Sequence, residues 1–188
     1  PHLRKDTCCR HKIHPGCMNT VTLILLGLIL LAAVIGLYCR KNFELRVLKW
    51  FPFFLLFQFL YQLLASLYSF VFTEHASNHF IFNITLPINL VYFGMLYYSI
   101  VQNSLKRKAI LACTVLNLIF FVVNLVYIQQ VTFLMTYSRT AMSVSLVMYS
   151  LLYFHEIVTD ERVENINPVR NVSFWIVTSI FFFYLSST

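Results

Sequence analysis

The sequence predicts an all-α, polytopic transmembrane helical bundle of about six spans, with its N-terminus outside. Three observations carry that prediction. Only 11% of the 188 residues are charged, whereas 59% are hydrophobic and 17% aromatic. A soluble domain would need about a quarter of its residues charged to clothe a water-facing surface. The apolar residues fall into runs close to the ~20 that a helix needs to cross the hydrocarbon core. The lysines and arginines gather between those runs, and they do so in alternate loops.

The first run, 20–38, meets Cys39-Arg40-Lys41, a charge stop that ends a span. The second, 50–73, has Pro52 in its first turn, where a missing N–H costs little. The third, 80–101, contains Pro87, which should kink it unless a neighbour satisfies the freed carbonyl. Lys106-Arg107-Lys108 lead into the fourth, 109–129. The fifth, 132–157, is less sharply bounded because Arg139 falls inside it, and an alternative start lies near that residue. A polar stretch, 159–171, includes Pro168 and forms the longest loop. The sixth run, 172–188, is still apolar where the sequence stops, and we expect a C-terminal truncation from that ending. Residues 1–17 read as a non-native or disordered leader, because Met18-Asn19-Thr20 opens directly into the first span as a start codon would.

Orientation follows from Lys and Arg, which accumulate in cytoplasmic loops. Loop one has Arg40, Lys41, Arg46 and Lys49; loop three has Lys106, Arg107 and Lys108; loop five has Arg162 and Arg170. Loop two has none, and loop four has only the ambiguous Arg139. Odd loops are therefore inside. Arg4, Lys5, Arg10 and Lys12 would then lie on the wrong side, a conflict that initiation at Met18 removes. The net charge of +7 belongs to these loops and not to one soluble face, which argues against a nucleic-acid partner.

Candidate chemistry is sparse. Cys8, Cys9, His11, His14 and Cys17 are zinc-type ligands, but their spacing is irregular and no second pair follows at a finger-like distance. Glu74, His75 and His79 form an E-H-x-x-x-H group in loop two, which reads better as a solvated turn than as a metal or pH sensor. No disulfide framework, hydrolase elbow, zinc-protease motif, phosphate loop or carboxylate pair is present, so neither a cofactor nor catalytic residues are expected. The sequons at Asn83 and Asn171 fall in a span and in a cytoplasmic loop, where glycosylation does not occur. Ala32 and Gly36 offer a close-packing pair on the first helix.

Amides and hydroxyls inside the spans are the remaining candidates, since none can face lipid unsatisfied. Gln58, Gln62, Ser66 and Ser69 share one face of helix two; Cys113, Asn117 and Asn124 share one face of helix four; Asn83 and Asn89 flank Pro87 on helix three. We expect these stripes to converge on one interior seam, serving as interhelical glue or, less economically, as a ligand cavity. Arg139 is the one strong base that falls within a run, and it either snorkels to the outer interface or binds an anionic ligand.

Thr136-Tyr137, Tyr153-Phe154 with Glu156, Phe174-Trp175-Ile176 and Phe181-Phe182-Phe183-Tyr184, together with Arg40-Lys41, resemble a family of uncharacterised bacterial multi-pass inner-membrane proteins over residues 18–188. The resemblance implies a bacterial inner membrane and brings no catalytic residues. The expected function is a non-enzymatic sensory, input or interaction module of a bacterial signalling protein. Its partners would be the bilayer, a second copy or a downstream signalling domain. The alternatives are a transporter or permease fragment, with Pro87 between Asn83 and Asn89 marking its substrate site, and a lipid-modifying enzyme with its catalytic residues outside this sequence.

Overall fold

The computed structural model describes residues 20–42, 46–71, 79–128, 135–159 and 172–187, and within them the chain is helical except at Val101–Asn103 and Met135, with no strand. α1 is Thr20–Cys39, closed by a 3₁₀ turn at Arg40–Asn42. α2 is Arg46–Val71, α3 is His79–Ile100 and α4 is Ser104–Val123, widening into a π turn at Asn124–Ile128. α5 is Thr136–Thr159 and α6 is Val172–Ser187. The first five are long and apolar enough to cross a membrane, and α6 is a shorter apolar helix. The chain is thus a transmembrane helical bundle.

Two helices begin earlier than the apolar runs suggest, because Lys and Arg are good helix formers that a hydropathy reading assigns to loops. α2 starts at Arg46, so Lys49 is helical. α4 starts at Ser104, where the Asn103 side chain accepts the N–H groups of Leu105 and Lys106 at 3.0 and 3.4 Å. That is an N-cap, and it turns the Lys106-Arg107-Lys108 loop into the first turns of a helix. The helix continues through Pro87 in α3. The leader, Glu74, His75, Asn171 and the loop-five bases lie outside the described residues, as do the ends of the expected runs at 72–73 and 132–134.

Helices consecutive in sequence run antiparallel. Val47 meets Tyr92 and Phe54 stacks on it, Tyr61 meets Phe82, and Phe154 of α5 meets Phe174 of α6. α3 lies against α4 and α5, α5 also against α6, and α1 against α2 at the periphery. The centre of the bundle is α5, with 44% of its span buried against 11% for α1 and α2. Its core contains Leu96, Tyr97, Ile110, Leu146, Tyr149 and Val177. The outward faces carry Leu23, Leu64, Leu116, Val126 and Phe182. In water such a surface would aggregate, and in a bilayer it is solvated by acyl chains.

Two close helix contacts are made at glycines. A Cβ on Gly36 would sit 3.0 Å from Pro52 Cγ, which sets the approach of α1 to α2. The small partner on that face is Ala33, fully buried, whereas Ala32 is exposed. A Cβ on Gly94 would lie 2.7 Å from Thr114 Oγ1 and 2.9 Å from its Cγ2, which brings α3 against α4.

Candidate functional site

The polar groups of α3, α4 and α5 form a seam along the length of α5. Near its start, Asn83 Oδ1 accepts the N–H of Met135 at 3.1 Å, and Asn124 Nδ2 donates to Ser138 Oγ at 2.6 Å. At mid-span, Asn117 Nδ2 donates to Ser145 Oγ and to its own helix at Cys113 O, both at 2.9 Å. Further along, the Tyr149 hydroxyl lies 3.0 Å from Thr114 Oγ1 and donates to Ile110 O at 3.3 Å. Tyr97 and Ser150 hydroxyls are 2.5 Å apart. Ser150 gives its proton to Leu146 O at 2.9 Å, so Tyr97 is the donor in that pair.

Several of these hydroxyls can accept from a partner helix because they spend their own proton inside their own helix. Ser145 bonds Ala141 O at 2.9 Å, Ser143 bonds Arg139 O at 3.0 Å and Thr114 bonds Ile110 O at 2.8 Å. This back-bonding leaves the lone pairs free for a partner helix. Interhelical hydrogen bonds of this kind contribute ~0.6 kcal/mol each in lipid, with a ceiling near 1.7. Their main effect is register.

The seam ends at Glu156, which is only 5% exposed. One oxygen, Oε1, accepts the backbone N–H groups of Gln102 and Asn103, both at 2.8 Å. The other, Oε2, is buried and has no hydrogen-bond partner. The carboxylate therefore sits on the short turn between α3 and α4, at the positive end of the α4 dipole. Beside it, Lys106 Nζ donates to His155 Nδ1 at 3.1 Å, which leaves the ring proton on Nε2.

The expected single seam divides in two. Asn83, Asn117 and Asn124 belong to the α3–α4–α5 seam. Gln58 instead donates to Asn89 in the separate α2–α3 interface. Ser66 bonds the Gln62 carbonyl within α2 at 2.8 Å, and the Gln62 side chain is half-buried. The geometric reason is that Asn83 and Asn89, six positions apart, point about 120° from each other around α3, so they address different neighbours. Ser69 has no described side chain. Arg139 is exposed in the first turn of α5, at the end opposite Glu156. Asn83, with 2% exposure and its side chain engaged, is closed to glycosylation.

Sequence reasoning did not place Ser138, Ser145, Ser150, Tyr97 or Tyr149 on the seam, and it named Glu156 only within the aromatic resemblance. Spacing would have found most of them, since Ser138 and Ser145, Ser143 and Ser150, and Tyr149 and Glu156 each recur at seven, the repeat that keeps a helix face toward its partner. Chemically the seam offers amides, hydroxyls and one carboxylate, and among the described residues no group of three metal-type ligands comes together. No protein-family model, curated protein or solved structure matches this chain.

Proposed function

We propose that this chain is a non-enzymatic sensory or input module of a signalling protein in a bacterial inner membrane, with the end bearing Lys106-Arg107-Lys108 in the cytoplasm. The observation that carries the reading is the tethering of α5 at both ends. At one end Asn83 of α3 holds Met135, and at the other Glu156 holds the turn that joins α3 to α4. A displacement of α5 by an outer-side stimulus is thereby delivered to the α3–α4 turn, a two-ended element of the kind a signal needs to cross a bilayer. A second copy or a downstream domain would receive it at that turn.

The permease alternative places its substrate between Asn83 and Asn89. Both side chains already accept protein donors, Met135 N–H and Gln58, which counts against a vacant polar subsite there. The distinguishing experiment screens amino acids, sugars and organic acids for thermal stabilisation of the purified protein, then measures flux of any stabilising compound in proteoliposomes. Binding without flux supports the input module. Flux would transfer the chain to the permease class, and chemical conversion of the compound to the enzyme class.

A further inference from the structure

We infer that the α4-start end of the bundle binds an anionic phospholipid headgroup, with Arg107 and Lys108 on its phosphate. Every Lys and Arg among the described residues except Arg139 lies at this end. Arg40 and Lys41 follow α1, Arg46 and Lys49 open α2, and Lys106, Arg107 and Lys108 open α4. The one acid described there, Glu156, is turned into the α3–α4 turn and occupied by two backbone N–H groups.

The placement of the cations fixes the depth of the site. The Arg107 guanidinium carbon lies over the Tyr98 ring, 4.3 Å from its centroid, and that of Arg40 lies 4.9 Å from the centroid of Phe53. Guanidinium tolerates such partial dehydration better than ammonium does, so both charges are held at the edge of the apolar span instead of reaching into bulk water. Trp50, Tyr98 and Trp175 are exposed at the same end, as aromatic residues at headgroup level are. Arg107 Nε is buried and has no hydrogen-bond partner, so any headgroup contact falls to the terminal guanidinium nitrogens.

Most backbone N–H groups at the start of α4 are already engaged and leave little for an anion. The second and third N–H groups of the helix are taken by Asn103, and Arg107 N bonds Asn103 O at 2.9 Å. Recognition falls mainly to side chains. Three successive cations at a helix N-terminus repel one another and the dipole, and a phosphate diester seated among them relieves both. This assignment depends on the level of the headgroups and not on which side of the membrane the end faces, so it stands apart from the signalling reading.

The test compares thermal unfolding of the protein in phosphatidylcholine vesicles with unfolding in vesicles where part of that lipid is phosphatidylglycerol. The expected result is a rise in Tm with phosphatidylglycerol. In Arg107→Gln or in the exposed Lys108→Gln, the lipid fraction giving half of that rise should increase about fivefold, as expected for one basic residue near an anionic leaflet. Arg139→Gln, at the other end, removes the same charge and should leave the response unchanged. An equal response in wild type and both α4 variants would overturn the proposal. So would an equal Tm rise from inorganic phosphate in phosphatidylcholine vesicles, which would assign the site to a free anion.

Discussion

Replacing Gly94 with alanine should separate steric register from simple apolar packing in this bundle. The added methyl would lie 2.7 Å from Thr114 Oγ1 and 2.9 Å from Cγ2, but 3.4 Å from Thr114 Cβ. Relief therefore requires the two outer atoms to retreat by about 0.6 Å, while the Cβ can stay. They are not free to do so. Thr114 Oγ1 is tied to Ile110 O at 2.8 Å and faces the Tyr149 hydroxyl at 3.0 Å, and a β-branched side chain on a helix has few alternative rotamers. The expected cost of Gly94→Ala is about 2 kcal/mol, within the range for overpacking. Thr114→Ala removes both clashing atoms, and on its own it should cost only about 0.6–1 kcal/mol. Tyr149 keeps Ile110 O as an acceptor in that variant. The double variant should be nearly as stable as Thr114→Ala, a coupling of ~1.5–2 kcal/mol that reversible unfolding in mixed detergent micelles can measure. If the two costs simply add, to within about 0.5 kcal/mol, then α3 and α4 do not meet at this contact.

Asn117→Ala should destabilise the protein by about 0.6–1.7 kcal/mol, and Ser145→Ala should cost little more once Asn117 is gone; additive losses in the same unfolding assay would mean that the pair does not bridge α4 and α5. Glu156→Ala leaves the Gln102 and Asn103 N–H groups without their acceptor and should cost about 2–3 kcal/mol. Glu156→Gln retains the accepting oxygen and should cost about half as much, so equal losses would show that the charge, and not the acceptor, holds the α3–α4 turn. Gln62→Leu distinguishes the two roles considered for the α2 stripe, since glue predicts a modest loss of stability whereas a cavity predicts a lost ligand response in a protein that still folds. Topology reporters fused after Lys49, Lys108 and Thr159 should read cytoplasmic and those after Val71 and Ile128 external, and an inverted pattern would reverse the proposed orientation.

Composition determined the class, and the positions of the apolar runs determined the rough boundaries. A chain with so few charges has one solvent in which it can bury nothing and still be satisfied, and in that solvent each apolar run must be a helix because only a helix meets its own backbone hydrogen bonds. The apolar runs accordingly mark all six α-helices among the described residues, and Gly36 was legible as a contact because a residue without a side chain permits close approach whatever its partner. The α4 start was misread for a related reason. Hydropathy sees Lys106-Arg107-Lys108 as loop, while the Asn103 cap that makes it helix acts through one side-chain oxygen.

The pairing of polar groups was decided only by tertiary structure. One helix face can be computed from sequence, yet which neighbour it meets depends on the order of packing, and the single expected seam split because α2 touches α3 but α4 pairs with α5. Ala33 took the place expected of Ala32 for the same reason, a rotation of one position that only contact with α2 specifies. Glu156 is the clearest case. By position it is a helix-end carboxylate, the kind of residue that normally faces water. It becomes buried because α5 runs parallel to α3 and ends beside the three-residue turn Val101–Asn103, where the N–H groups of Gln102 and Asn103 have no helical acceptor of their own and draw a carboxylate inward.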